Sequence, residues 1–245
     1  MLSEPATVLI TGASSGVGLA LARRLHAMGH RLALLARSSE RLEQARHALP
    51  GSHAYACDLA DAQQLDACWA RIAAEHPGLS VLVNNAAIQL TPRFVDPDFE
   101  PAGIARETAV NFVAPARLAH HALGVFRAHG RPSCIVNIGS GLALHPKRDA
   151  AVYCATKAAL HALSRGLRYQ LAGTPVAVVE AILPLVDTPM TTGRGRGKLG
   201  ANRAAAQIVD GIVRGRDEVY VGKARWLPLL TRISPAIPAA ILRHA

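Results

Sequence analysis

Short apolar runs recur along the chain, and between them lie longer segments in which apolar residues return every three or four positions. The runs are "TVLIT", "RLALLA", "HAYACDL", "SVLVNNA", "SCIVNIGS", "VAVVEAIL" and "EVYVG". Several are nearly continuous in Val, Ile, Leu and Ala, the pattern of strands covered by helices on both faces. The intervening "LALARRLHAMG", "SERLEQARHAL" and "DAQQLDACWARIAAE" read as helices. The first begins near Leu19 and ends at Gly29 as a C-cap; the second opens on Ser39 as its cap. Strand and helix in alternation require right-handed crossovers, so the expected fold is α/β, a doubly wound parallel sheet of about seven strands. Ligands then bind beyond the carboxyl ends of the strands.

No repeat or low-complexity linker interrupts the 245 residues, which suits one domain spanning 1–245. The formal net charge of +10 suggests anionic partners. Aromatic residues make up only 4% of the chain, however, and no basic run is interleaved with stacking side chains, so nucleic acid is not an expected partner. Cys57, Cys68, Cys134 and Cys154 show neither the close pairing of a zinc site nor the density of a disulfide scaffold. No metal is expected, and a reducing cytoplasmic setting is. The start "MLSEPATVLITGAS" lacks the basic and apolar regions of a signal peptide, and the longest apolar tract, "VAVVEAILPLV", is too short for a bilayer, which predicts a soluble protein.

Candidate chemistry begins directly after the first strand. There "TGASSGVG" places Gly12, Gly16 and Gly18 between a strand and a helix, where glycine permits close backbone approach and the helix amides and dipole suit a pyrophosphate. The second strand ends near Ala36 and Arg37, the place where such a fold reads the adenosine ribose. Arg37, Ser38 and Arg41 stand there instead of an acid, which predicts NADP(H) over NAD(H). Asp58 in "ACDLAD" is placed to reach an adenine amino group, and "VNNAA", residues 83–87, closes the fourth strand with small residues. In "AAVYCATKAAL", Tyr153 and Lys157 share one helical face. A cation one turn away favours the phenolate and predicts a lowered tyrosine pKa, hence a tuned proton donor; a tyrosine snorkelling beside a surface lysine is the alternative for this spacing alone.

Taken in order, "TGASSGVG", "NNAA", "VNFVAP", "IVNIGS" and "YCATK" resemble the short-chain dehydrogenase/reductase family over roughly Thr7 to Gly222. The resemblance implies a Rossmann-type sheet and hydride transfer with a nicotinamide cofactor. It implies that Ser140 holds a substrate carbonyl, Tyr153 protonates it, and Lys157 tunes Tyr153 while binding the nicotinamide ribose. Asn111 matches the residue whose main-chain carbonyl binds a relay water in that family. Here Pro115 has no N–H to offer that carbonyl, a feature that a simple proline kink also explains. The implied cofactor set is Gly12, Ser14, Ser15, Gly16, Val17, Gly18, Arg37, Ser38, Asp58, Leu59, Asn85, Ala86, Ala87, Tyr153, Lys157, Val186 and Thr188. Two departures stand out. Ala87 replaces the usual glycine of "NNAG", and Leu183–Pro184 replace the usual Pro-Gly, which bears on nicotinamide placement.

Substrate contacts are expected from Leu142 and His145 after Ser140, from Leu90 and Arg93 after Ala87, and from Met190. The segment 189–203 carries Arg194, Arg196, Lys198 and Arg203 among glycines, and reads either as a basic lid for a carboxylate or phosphate or as a solvated loop. The tail 225–245 is too apolar to remain free in water and should pack on its own subunit or a partner. Peripheral membrane contact is disfavoured by its three prolines. Family resemblance implies a homodimer or homotetramer. The activity expected is carbonyl–alcohol interconversion. The alternatives are reduction of coenzyme A- or carrier-bound 3-ketoacyl groups and a non-catalytic NADP(H) sensor or assembly protein.

Overall fold

The computed structural model describes residue 2 and residues 4–90 and 93–243. Its seven long-range strands are β1 (Thr7–Thr11), β2 (Arg31–Ala36), β3 (His53–Ala56), β4 (Leu79–Asn84), β5 (Ser133–Ser140), β6 (Val176–Leu183) and β9 (Glu218–Tyr220). They form one parallel sheet in the order β3-β2-β1-β4-β5-β6-β9. Chain direction across the sheet reverses between β1 and β4, which opens a crevice at their carboxyl ends.

Alternate residues of each strand feed two cores. Val8, Ile10, Val81, Val83, Val136 and Val179 join the helices α1 (Gly16–Ala27), α2 (Ser39–His47) and α7 (Ala201–Val213) on one face. Leu9, Leu82, Ile135 and Val178 join α3 (Ala62–Glu75) and α5 (Ala114–His129) on the other. The period of two thus divides each apolar strand between both layers, which is why the sequence shows no polar alternation. Helix α4 (Ala102–Thr108) runs into α5 through a π turn over Ala109–Val113, and α6 (Ala151–Gln170) packs beside them.

Several boundaries differ from the sequence reading. Helix α1 starts at Gly16, three residues before Leu19, because Leu19 N–H closes the first turn on the Ser15 carbonyl (3.1 Å); glycine's poor helix propensity concealed this. Ser38, not Ser39, caps α2, its hydroxyl accepting from Arg41 N–H (3.4 Å). Strand β3 stops at Ala56, so Asp58 lies beyond it. A two-stranded ribbon, β7 (Val186–Asp187) with β8 (Leu199–Gly200), was not expected, since two-residue strands carry no periodic signal.

The tail forms two short helices, α8 (Leu227–Ile233) and α9 (Ala236–Leu242), broken at Ser234 and Pro235. Its inner residues Leu227 and Leu242 pack on Ile182 and Leu144. Trp226, Leu229, Ile233 and Ile241 face outward and are exposed. No helix among the described residues is long and apolar enough to cross a membrane.

Phe126 sits at 1% exposure in the α3/α5 core. Phe126→Ala should lower the unfolding free energy by about 3–5 kcal/mol in urea titrations, the usual cost of deleting a buried aromatic ring.

Candidate active site

The carboxyl ends of β1 and β4 are clasped together by two side chains. Asn85 Nδ2 donates to the carbonyls of Thr11 (2.9 Å) and Gly12 (3.3 Å). Thr11 Oγ1 in turn accepts from the N–H groups of Asn85 (2.9 Å) and Ala86 (3.0 Å). The Gly12 loop is thereby pulled against β4, and a Cβ on Gly12 would stand only 2.9 Å from Ala86 Cα. Gly18 is closer still: its Cβ would overlap the Gly12 carbonyl. Glycine is therefore required for the loop to fold flat over the start of α1. Ser15 caps α1 with no side-chain hydrogen bond, which leaves first-turn amides for a phosphate.

This cradle fits a dinucleotide, with some redistribution of roles. Asn85, expected to touch cofactor, spends its amide on the loop, while Thr11, which the sequence reading missed, is its partner. Val17 turns its side chain into the core and has only backbone to offer. Ser14, Gly16, Ala86 and Ala87 are half-buried around the loop. No described non-glycine residue has a positive φ, so Ala87 replaces glycine without backbone strain. Ala13 N–H donates to the Leu35 carbonyl (3.2 Å), which brings exposed Arg37 and half-buried Ser38 to the same end of the sheet. Asp58 accepts from Ala60 N–H (3.1 Å) and pairs with Arg106 (3.1 Å), while Leu59 is buried behind it. Thr188 lies across the loop, its methyl 3.0 Å from a Cβ placed on Gly16; Val186 is buried in the β7–β8 ribbon.

Ser140 ends β5 and Tyr153 stands in the first turn of α6, and the Ser140 hydroxyl is close enough to favour ionisation of the Tyr153 phenol. Ser140 Oγ also accepts from Leu142 N–H (3.1 Å). Lys157, one turn on from Tyr153, is 3% exposed; its Nζ donates to the Ile138 carbonyl (2.8 Å) and lies 5.8 Å from the centre of the Tyr153 ring. A surface tyrosine beside a solvated lysine is thus ruled out. Burial pushes the Tyr153 phenol up to about 12, and the Ser140 hydroxyl only partly offsets it. Burial pushes the Lys157 amine down to about 8, opposed by the Glu180 carboxylate. The sequence reading expected a tyrosine lowered by Lys157. The net shift is upward because loss of hydration outweighs the favourable charges.

Asn111 is fully buried in the π turn. Its side chain exchanges two hydrogen bonds with Ile88 (both 2.8 Å) and donates to Thr156 Oγ1 (3.2 Å), tying the segment after β4 to α6. The π turn pairs Ala114 N–H with the Ala109 carbonyl, five residues back rather than four, so the α-helical pairing that would set the Asn111 carbonyl opposite Pro115 is not the local register.

The substrate side divides. Leu90 and Arg93 line a cavity of about 460 Å³ together with Phe94, Ile104, Glu107 and Val152. Arg93 is engaged by Asp96 (2.7 Å). Leu142 and Met190 are half-buried. His145 is corrected: it is 8% exposed and bonded to Thr231 Oγ1 (2.9 Å), so it anchors the tail. Glu107, unremarked in the sequence, is 2% exposed and accepts from Leu90 N–H (3.2 Å); its position one helical turn before Asn111 was the available signal. Burial raises its pKa. Elsewhere, His53, Glu75 and His76, and likewise His161, Glu180 and Glu218, have donor atoms close enough to share an ion. Donor atoms of both groups are already engaged, Glu75 and His76 by the Tyr55 hydroxyl (2.6 and 2.9 Å) and Glu180 by His161 (2.8 Å).

Comparison with known proteins agrees with this geometry. A family model described as short chain dehydrogenase matches residues 6–198. The chain is 40% identical over 236 residues to an uncharacterized oxidoreductase, DltE, of Bacillus subtilis, covering 92% of each chain. It is 33% identical over 241 residues to a fatty acyl-CoA reductase of Acinetobacter baylyi, covering 94% of this chain and 80% of that one. A short-chain dehydrogenase from Sphingobium yanoikuyae, solved in complex with NADPH, superposes with a TM-score of 0.83 at 29% identity over 95% of each chain.

The lowered amine has a consequence for stability. Between pH about 8 and the ordinary lysine value of 10.5, the unfolded chain holds a proton on Lys157 that the native protein has released. Native stability relative to Lys157→Met should therefore rise as pH increases through that window. Urea unfolding of both proteins at pH 7.5 and 9.5 measures it.

Proposed function

The chain belongs to the short-chain dehydrogenase family, and from that premise we propose that it is an NADP(H)-dependent oxidoreductase interconverting a carbonyl and a secondary alcohol. The observation that carries this reading is the convergence of two hydroxyls, Ser140 and Tyr153, beside a buried lysine at the carboxyl end of β5. Bound nicotinamide supplies or accepts the hydride.

Each protein group then has a defined task. With its proton held up to about 12, Tyr153 is a neutral hydroxyl at physiological pH and donates to the substrate oxygen as negative charge develops there. Ser140 donates a second hydrogen bond to the same oxygen, orienting it and spreading the charge. Lys157 is mostly protonated below pH 8, and its charge beside the ring stabilises the tyrosinate left behind. With one N–H on Ile138, it has two more for a ribose hydroxyl and a water. The Asn111 carbonyl would hold that water, and the water would pass a proton to Lys157.

The loop amides at the start of α1 would hold the pyrophosphate, and Arg37 with Ser38 the 2'-phosphate. The basic end of β2 supports NADP(H), as does the relative solved with NADPH. The four cysteines are free thiols, which suits a reducing cytoplasmic setting. Reduction of a coenzyme A-bound acyl group is a second reading, supported by the likeness to a fatty acyl-CoA reductase.

Tyr153→Phe should reduce turnover of NADPH with a ketone by about 100-fold or more while NADPH affinity changes little; retained turnover would remove the acid–base assignment. Arg37→Ala should weaken NADPH binding much more than NADH binding in fluorescence titrations, and an unchanged preference would assign the phosphate to another group.

A further inference from the structure

Of the four basic residues from Arg194 to Arg203, three in the loop after β7 and one on α7, only one turns inward. Arg196 and Arg203 are exposed, and Lys198 is spent on the Asp187 carboxylate (3.6 Å) and the Thr191 carbonyl. Arg194 instead reaches inward and donates from Nη2 to the Gln89 carbonyl (3.4 Å). The turn that directs it is built around glycine: Gly193 and Gly195 flank it at φ of +76° and +55°, and a Cβ on Gly195 would collide with Leu185. Arg194 N–H closes the turn on the Thr191 carbonyl (3.0 Å).

The other end of the guanidinium has no partner. Arg194 Nη1 is buried without a hydrogen bond, and Arg194 forms no ion pair among the described residues. The nearby acid does not supply one. Glu107 accepts from Leu90 N–H, the donor of the same peptide unit whose Gln89 carbonyl binds Arg194. Burial raises the Glu107 pKa, the Leu90 N–H and the Arg194 charge oppose that, and no ion pair joins the two side chains. The charge of Arg194 also reaches Tyr153, whose ionisation it favours. A buried guanidinium donor left open beside the Gln89–Leu90 segment that borders the cavity calls for an anionic acceptor, because an unmet charged donor is costly.

Resting on the carbonyl-reductase reading, we propose that the preferred substrate is an oxo acid, whose carboxylate is bound by Arg194 while its carbonyl meets Ser140 and Tyr153. The apolar part of the substrate occupies the cavity beside Leu90, Ile104 and Val152.

The test compares kcat/KM for an apolar-tailed 3-oxo carboxylate and for its methyl ester at saturating NADPH, in the parent protein, Arg194→Gln and Arg196→Gln. The ratio of acid to ester does not depend on how much protein is folded. It should fall about 100-fold in Arg194→Gln, the usual loss on removing one partner of a buried charged hydrogen bond. It should keep the parent value in Arg196→Gln. An unchanged ratio in Arg194→Gln, a parent preference for the ester or for a coenzyme A thioester, or a matching loss of NADPH affinity in Arg194→Gln would overturn the proposal. Turnover of neutral ketones with no preference for the acid would defeat this inference alone. No turnover of either class would contradict the reductase reading and this inference with it.

Discussion

A single buried hydrogen bond, from Lys157 Nζ to the Ile138 carbonyl, organises the active end of this protein. An ammonium taken out of water at 3% exposure is held there at a cost that appears directly as its pKa near 8. The bond compensates in part, and it does so from the last turn of backbone before Ser140. The strand that delivers the serine therefore also fixes the lysine, and the helix that delivers the lysine fixes the tyrosine one turn earlier. Glu180 on the adjacent strand, itself fully buried and bonded to His161, favours the charged amine from behind.

The remaining polar contacts keep this geometry in register with the nucleotide end. Asn111 joins the segment after β4 to Thr156 on α6, next in sequence to Lys157. Asn85 and Thr11 join the same segment to the glycine loop. One stretch, residues 85–90, thus contacts the cradle, the π turn, the cavity and the basic loop in succession. A shift of that stretch would misplace cofactor and substrate relative to each other, which gives these asparagines and Thr11 a positioning role distinct from chemistry.

Much of this was legible in the sequence, for reasons that can be located. Strands β1, β2, β5 and β6 have the expected limits because each is a mostly apolar run buried on both faces. The meeting of Ser140, Tyr153 and Lys157 at the carboxyl end of β5 was legible because these residues sit at a strand end and at helical spacing, both local properties. What failed was set by tertiary contact. The start of α1 depends on Gly18 lying on Gly12, which propensity cannot report. The direction of the tyrosine shift depends on how deeply the phenol is packed, not on the spacing to Lys157. His145 looked like a substrate contact until the tail folded back and gave it Thr231. Which of the three loop cations faces inward is decided by two glycine torsions and Leu185, none of which distinguishes Arg194 from Arg196 in one dimension.

The account stands or falls on coupled proton and hydride delivery to a carbonyl. Its most direct test is the rate of NADPH oxidation by the purified protein with a panel of ketones and oxo acids, measured in H2O and in D2O. The account predicts turnover that slows in D2O, because the Tyr153 proton moves as the hydride arrives. Tight NADPH binding with no turnover of any carbonyl compound would contradict it.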